Sequence, residues 1–283
     1  MIDESEIGFF ANWTEETLAI NGVGREIPSL LFKFMSCGSK YFQYSALELL
    51  VHNRLRLSKP TEFNDPFDCA LCLETATADE ARVFLTGVLA DHGLSLPESE
   101  LNDRLADPEK FRKVTQESMR RTLAEAGICS FSSSVRNPLM WAHYAASHTG
   151  LVFVFRQGGD SDFAAMPVRY QARLAAVSLS RRDEVPLAAL TKGLDWRYEK
   201  EWRLVETKQG GNWKVLGDKI LHGVVFGAKC DPNDIEFVLD LIRRRADAGL
   251  PPIFVYGARI NEEEFELEFY QLVQNGLRSV DLP

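Results

Sequence analysis

Apolar positions recur along this chain with two spacings, and the change from one to the other marks out its elements. Short runs suited to strands lie at Leu30–Phe34, Leu55–Ser58, Ile128–Ser132, Leu151–Phe155, Leu174–Leu179, Glu201–Glu206, Val224–Phe226 and Ile253–Tyr256. There, alternating or continuous apolar residues are punctuated by turn formers. Charge-rich stretches with few β-branched residues read as helices: Asp79–Gly93, Pro97–Ala126, and Asp231–Ala248 opened by Asp231-Pro232. Ser45 is expected to cap a short helix through Asn53, its hydroxyl accepting from first-turn amides. Residues 1–26 read as a helical lead-in starting near Asn12-Trp13-Thr14-Glu15-Glu16, and Glu264–Leu272 fits helix or strand. Strands scattered among helices without a βαβ rhythm predict an α+β fold. One domain over residues 1–283 is expected, with a helical insertion at about 77–126.

The densest chemistry falls in Trp196-Arg197-Tyr198-Glu199-Lys200-Glu201-Trp202-Arg203. If this run is extended, alternation sends Arg197, Glu199, Glu201 and Arg203 to one face and Trp196, Tyr198, Lys200 and Trp202 to the other. A rise of about 3.3 Å per residue then sets the two carboxylates roughly 7 Å apart. Like charges that close raise one pKa, while the flanking guanidinium groups favour ionisation. Such a pair can address a ligand hydroxyl or a developing cation. A solvated strand face with alternating ion pairs explains the same residues equally well.

Composition narrows the classes. A formal charge of −9 argues against a general nucleic-acid coat or an anionic membrane partner, though not against a local basic groove. No apolar run reaches bilayer length, and the acidic Met1-Ile2-Asp3-Glu4-Ser5-Glu6 start lacks the basic residues of a signal peptide. A cytoplasmic protein with no membrane partner is expected. Five irregularly spaced cysteines fit reduced thiols there. Cys69-Ala70-Leu71-Cys72 has no second ligand pair at zinc-like spacing, so both thiols are expected to be buried and no metal is expected.

Three further constellations stand out. Phe63-Asn64-Asp65-Pro66-Phe67 combines turn formers with aromatic flanks; it reads as a pinned turn or as a way to aim Asn64 or Asp65 at a ligand. Cys129-Ser130-Phe131-Ser132-Ser133-Ser134 leads through Asn137 into Pro138-Leu139-Met140-Trp141-Ala142-His143-Tyr144, a hydroxyl-rich bend before a short helix. On that helix Trp141 and Tyr144 share one stripe and Met140 and His143 another. Core packing explains Met140, Leu139 and Trp141 more readily than His143. His148 does not complete a metal pair with His143, because a spacing of five separates them around a helix. Lys40-Tyr41-Phe42-Gln43-Tyr44 offers rings for stacking or for core. Phosphate-binding glycine loops and Ser-His-Asp or H-E-x-x-H motifs are absent.

Together these pieces resemble a large bacterial family catalogued as a domain of unknown function. Its pattern joins a tyrosine-rich start, an NDPF turn, an FS segment, an MWAHY helix and a W-x-Y-E-x-E-x-R run. This chain supplies Tyr41 and Tyr44, Asn64-Asp65-Pro66-Phe67, Phe131-Ser132, Asn137, Met140 to Tyr144, Gly150, and Trp196 to Arg203. Asp68 stands where the family usually has Glu. The match spans roughly residues 40–230.

More distantly, the order Tyr44, Leu55–Ser58, Phe131-Ser132 with Pro138-Leu139-Met140, then Glu199-x-Glu201 is similar to that of ADP-ribosyltransferases, DNA-targeting bacterial toxins among them. That resemblance implies a mostly antiparallel split sheet and NAD as substrate. It also implies a macromolecular acceptor (DNA, RNA or protein) in toxin or phage-defence biology, with an immunity partner. Glu201 would hold a ribose hydroxyl beside the oxocarbenium-like centre, and Glu199 would orient or deprotonate the acceptor. Tyr44 with Trp141 or Tyr144 would stack on nicotinamide or adenine, Ser132 would hold the ribose side, and Arg203 would contact the pyrophosphate or pair with Glu201. Tyr41, Asn137 and His143 complete the expected nucleotide set. The alternatives are a non-catalytic nucleotide-binding or interaction module on the same fold and, last, a carbohydrate hydrolase using the two acids.

Overall fold

The computed structural model describes residues 27–157, 163–180, 182–273 and 276–283, and the lead-in expected over residues 1–26 lies outside them. In chain order the first elements are β1 (Leu30–Met35), α1 (Phe42–Leu50), β2 (Arg54–Arg56), β3 (Leu71–Leu73), α2 (Ala78–Asp91), α3 (Glu98–Leu105), α4 (Pro108–Ala124) and β4 (Gly127–Ser132). Then follow α5 (Pro138–Tyr144), β5 (Leu151–Arg156), β6 (Met166–Pro167), β7 (Arg169–Gln171), β8 (Ala175–Val177) and β9 (Thr191–Gly193). The last are β10 (Glu201–Glu206), β11 (Trp213–Val215), β12 (Leu221–Phe226), α6 (Pro232–Asp247), β13 (Phe254–Ile260), β14 (Leu267–Val273) and β15 (Gly276–Val280).

The fold is mixed α/β around a mostly antiparallel open sheet. Its order is β15-β14-β13-β12-β5-β1-β4-β10-β6, with β12 and β13 parallel. The resemblance to ADP-ribosyltransferases implies a split sheet; here the main sheet runs unbroken through nine strands, and the pairs β2–β11, β3–β8 and β7–β9 stand apart from it. At its centre Leu151-Val152-Phe153-Val154-Phe155 is fully buried on both faces. A strand covered on both sides needs such a continuous apolar run, and each side chain removed from water contributes about 2 kcal/mol.

Strand alternation divides the core into three clusters. Leu31, Phe131, Trp202 and Leu204 point to one face and pack under α1 and α6, through Leu49, Leu50, Val238 and Leu241. On the opposite face Phe32, Val152 and Val154 pack with Trp141 of α5. Further along that face Ile128 and Val205 join Leu71, Leu73, Met119 and Leu123 beneath the helices of residues 78–124. Between these last two clusters the same face carries Ser130, Ser132, Glu201 and Arg203.

Local chemistry explains where the elements depart from expectation. Pro97–Ala126 is two helices, because the Asp107 carboxylate accepts from the Lys110 amide and Pro108 begins a new helix. The short helix α1 begins at Phe42, so Ser45 lies inside it rather than capping it. Glu264–Leu272 resolves largely into strand β14. Cys69 is buried with φ +57°, whereas Cys72 faces outward on β3, so only one of those two thiols is interior.

Candidate functional site

Trp196–Arg203 is not one extended strand. Leu194–Glu199 forms a 3-10 helix, Lys200 takes the left-handed conformation at φ 47°, and β10 starts at Glu201. The kink replaces simple alternation. Arg197 is exposed while Arg203 is fully buried, so the two arginines do not share a face. Glu199 and Glu201 nevertheless converge, because the turn brings the end of the helix over the start of the strand.

The sheet register fixes the floor beneath them. Phe32, Ser132 and Glu201 are direct partners across β1, β4 and β10, so their side chains stand on one face. Ser132 Oγ donates to the Glu199 carbonyl at 2.7 Å and accepts from the Ser134 amide. Asn137 caps α5 by accepting from the Leu139 amide, and its Nδ2 donates to the Tyr198 carbonyl at 2.9 Å. Ser132 and Asn137 therefore hold the backbone that presents Glu199. The Glu201 amide donates to the Tyr170 hydroxyl at 2.7 Å.

Five charged groups fill the space. Lys192 Nζ lies 2.6 Å from Glu199, 3.2 Å from Glu201 and 3.6 Å from Asp68. Arg203 donates to both oxygens of Glu201 and, through both terminal nitrogens, to both oxygens of Asp68 at 2.7 and 2.8 Å. It also reaches the Ala189 carbonyl. Three acids and two bases leave one formal negative charge, and all five side chains are nearly inaccessible. Paired, hydrogen-bonded ions can be buried in this way; lone ones cannot.

The two glutamates hold protons differently. Burial pushes the Glu199 carboxyl up, the Glu201 charge adds to that, and Lys192 and the Tyr144 hydroxyl offset only part of it. Burial opposes ionisation of Glu201 too, but Arg203 and Lys192 overcome it and hold this group down at about 2. Their surroundings thus push the two carboxyls in opposite directions, Glu201 down and Glu199 up. Tyr144 donates to Glu199 Oε1 at 2.5 Å; burial and that acceptor raise the phenol well above its ordinary range. Asn64, from the turn at Phe63–Phe67, lies beside the same phenol and lines the pocket with it. His143 Nδ1 lies 3.0 Å from the Tyr198 hydroxyl.

These groups face a pocket of about 410 Å³, lined also by Phe32, Phe34, Phe63, Glu62, Ser130 and Met140. The volume lies at the lower end of the range for small-molecule sites. Of the expected set, Glu199, Glu201, Ser132, His143 and Tyr144 line it. Trp141 does not: it is wholly buried, its Nε1 donates to the Val135 carbonyl, and it packs edge-on against Phe34 and stacks on His148. Tyr41 and Tyr44 are exposed elsewhere, under Lys40 and against Trp213 respectively. Asn137 and Arg203 act from behind the wall. A larger cavity, about 1010 Å³, lies among α2, α3 and α4. It gathers apolar side chains such as Phe84, Phe111 and Val114 and has no comparable buried charge cluster.

Asp68 and Lys192 are the members that sequence reasoning missed. Asp68 was visible only as a variant position after the NDPF turn, and Lys192 sits in no motif. Among the described residues no group of His, Cys, Asp and Glu is arranged to hold a metal ion, and no helix is long and apolar enough to cross a membrane. No protein-family model matches the chain, and no curated protein or solved structure matches it with significance.

Proposed function

We propose that this chain is an NAD-dependent ADP-ribosyltransferase-like enzyme that modifies a macromolecule, nucleic acid or protein. One observation carries the reading: two carboxylates, Glu199 and Glu201, share a single lysine at the wall of a small pocket. Rupture of the nicotinamide–ribose bond sends its electron pair to the ring nitrogen and leaves an oxocarbenium-like ribose. Glu201, ionised at every physiological pH, stabilises that cation without reorganising. The acceptor atom then forms the new bond to the sugar, and Glu199 takes its proton. Tyr144 orients Glu199. The acidic surround suits the cationic nicotinamide-riboside half of the substrate. Arg203, already committed to Asp68 and Glu201, acts as a positioning residue rather than on pyrophosphate.

The test is incubation of the purified protein with NAD labelled in the nicotinamide and in the adenylate, with and without a cell lysate. Glu201→Gln should cut nicotinamide release by about 10²–10³-fold while the fold is kept. Undiminished turnover in that variant sinks the assignment. A second reading, a non-catalytic nucleotide-binding module, is favoured by the closure of the ion-pair network, in which each acid already has a cationic partner. It predicts saturable binding of NAD with no release of nicotinamide by the unsubstituted protein.

A further inference from the structure

Three neighbouring strands end together at one edge of the central sheet. Met35 of β1 pairs with Leu151 of β5, and Leu151 pairs with Phe226 of β12. Both outer strands run antiparallel to β5, so β1 and β12 leave the sheet in the same direction. Their exits are drawn tightly over the start of β5. A Cβ on Gly150 would lie 2.2 Å from the Met35 carbonyl oxygen, and one on Gly227 would lie 2.3 Å from that of His148. Gly227 donates to the Gly150 carbonyl and Lys229 to the His148 carbonyl. The helices that follow also meet, with Phe42 of α1 and Phe237 of α6 at 5.9 Å between ring centroids.

Each exit carries one cysteine. Cys37 lies two residues beyond β1, and Cys230 directly precedes Asp231, the N-cap of the sixteen-residue helix α6. Both are partly buried against the same apolar cluster, close enough for each thiol to perturb the other. We propose that Cys37 and Cys230 form a reversible thiol-oxidation site that closes to a disulfide under peroxide. The site is separate from the charged pocket and does not rest on its reading.

The pair is chemically unequal. The neighbouring Cys37 lowers the Cys230 thiol against burial and against the nearby Asp234 and Asp231 carboxylates, while the Cys37 thiol is pushed up by Cys230 and by burial. Cys230, held directly before the N-cap of α6 where the first-turn amides favour a thiolate, is the attacking sulfur. Its thiolate forms an S–O bond to hydrogen peroxide as the O–O bond breaks, and the departing hydroxide is protonated to water. The Cys37 sulfur then attacks the Cys230 sulfenic acid. The S–S bond forms, the S–O bond breaks, and hydroxide leaves with the Cys37 proton as a second water. The two thiols lose two electrons, and the peroxide gains them.

The experiment treats the full chain with hydrogen peroxide, alkylates the remaining thiols, and maps peptides by mass spectrometry. A Cys37–Cys230 linked peptide that disappears on reduction with dithiothreitol is expected, with the buried Cys129 unlinked. In Cys37→Ser the sulfenic acid should persist and be trapped by dimedone at Cys230; in Cys230→Ser Cys37 should trap none. Recovery of both cysteines as alkylated thiols, under peroxide that oxidises the exposed Cys72, overturns the proposal. So does a disulfide that pairs either one with Cys72 or with a second chain. The mapping of the unsubstituted protein decides the matter even if a serine variant fails to fold.

Discussion

The helices between Ala78 and Ala124 and the charged pocket are both rich in ionisable residues, yet they are assembled from different distances along the chain. In the helices the partners are near neighbours. Thr77 and Glu80 close a reciprocal capping box, Asp107 caps α4, and Arg104–Glu100, Arg112–Glu109 and Arg121–Glu117 are exposed pairs three or four residues apart. In the pocket the partners are remote. Asp68 meets Arg203 across 135 residues, Ser132 meets Glu199 across 67, and Tyr144 meets Glu199 across 55. Exposed local pairs are screened and weakly coupled to the fold. Buried remote pairs depend on the whole sheet, and the sheet in turn depends on their being paired.

The largest expected effect follows from that contrast. Arg203→Ala leaves Asp68 and Glu201 buried with Lys192 as their shared cation, and should cost about 3–5 kcal/mol. Arg203→Lys should recover only part, because an ammonium cannot make the two forked contacts that the guanidinium makes. Arg121→Ala, at a side chain 79% exposed, should cost no more than about 0.5 kcal/mol. Urea unfolding followed by circular dichroism checks all three. Equal costs for Arg203→Ala and Arg121→Ala would erase the distinction between the two regions.

The same distinction decides what the sequence could reveal. Strand β10 was legible to the residue, and α2 and α6 nearly so, because caps, prolines and apolar periods are written within a few positions; the break between α3 and α4 at Asp107-Pro108 was not read. Glu199, Glu201, Ser132, His143 and Tyr144 were legible as a group because motif segments concentrate them. Lys192 was not, since nothing near Thr191-Lys192-Gly193 distinguishes a lysine facing three carboxylates from one facing solvent. The left-handed Lys200 was equally hidden, and it turned an expected strand into a helix followed by a strand. Trp141 failed as a stacking residue for the opposite reason: an aromatic beside a site is more often its support than its surface.

Acid should separate the regions next. Glu201 is depressed from 4.5 to about 2, so its contribution to stability is fully present above pH 4.5 and is lost as the pH falls toward 2. A shift of that size corresponds to something on the order of 3 kcal/mol. Glu199 has the opposite sign. Being raised, its contribution is present at low pH and is lost as the pH rises through its folded value. Glu201→Gln should therefore flatten the acid limb of a stability–pH curve measured by thermal unfolding between pH 2 and 5. Glu80, in the first turn of α2, is also lowered, through the Thr77 backbone and side chain, but it stands in solvent. An acid limb unchanged in Glu201→Gln would move the dominant acid titration away from the pocket.

The smallest effect belongs to helix α2. Thr77 Oγ1 accepts from the Glu80 amide at 3.2 Å, and Glu80 Oε2 accepts from the Thr77 amide at 2.8 Å, so two otherwise orphaned donors at the start of α2 are satisfied reciprocally. Thr77→Ala removes one of these and should cost about 1 kcal/mol. Because α2 buries only Ala81 fully, that loss should stay local. Hydrogen exchange in Ala78–Asp91 should quicken severalfold, with the amides of β4, β5 and β10 unchanged. Faster exchange in β10 would mean that α2 and the pocket share one cooperative unit, and that the local character of the helices ends where they rest on the sheet.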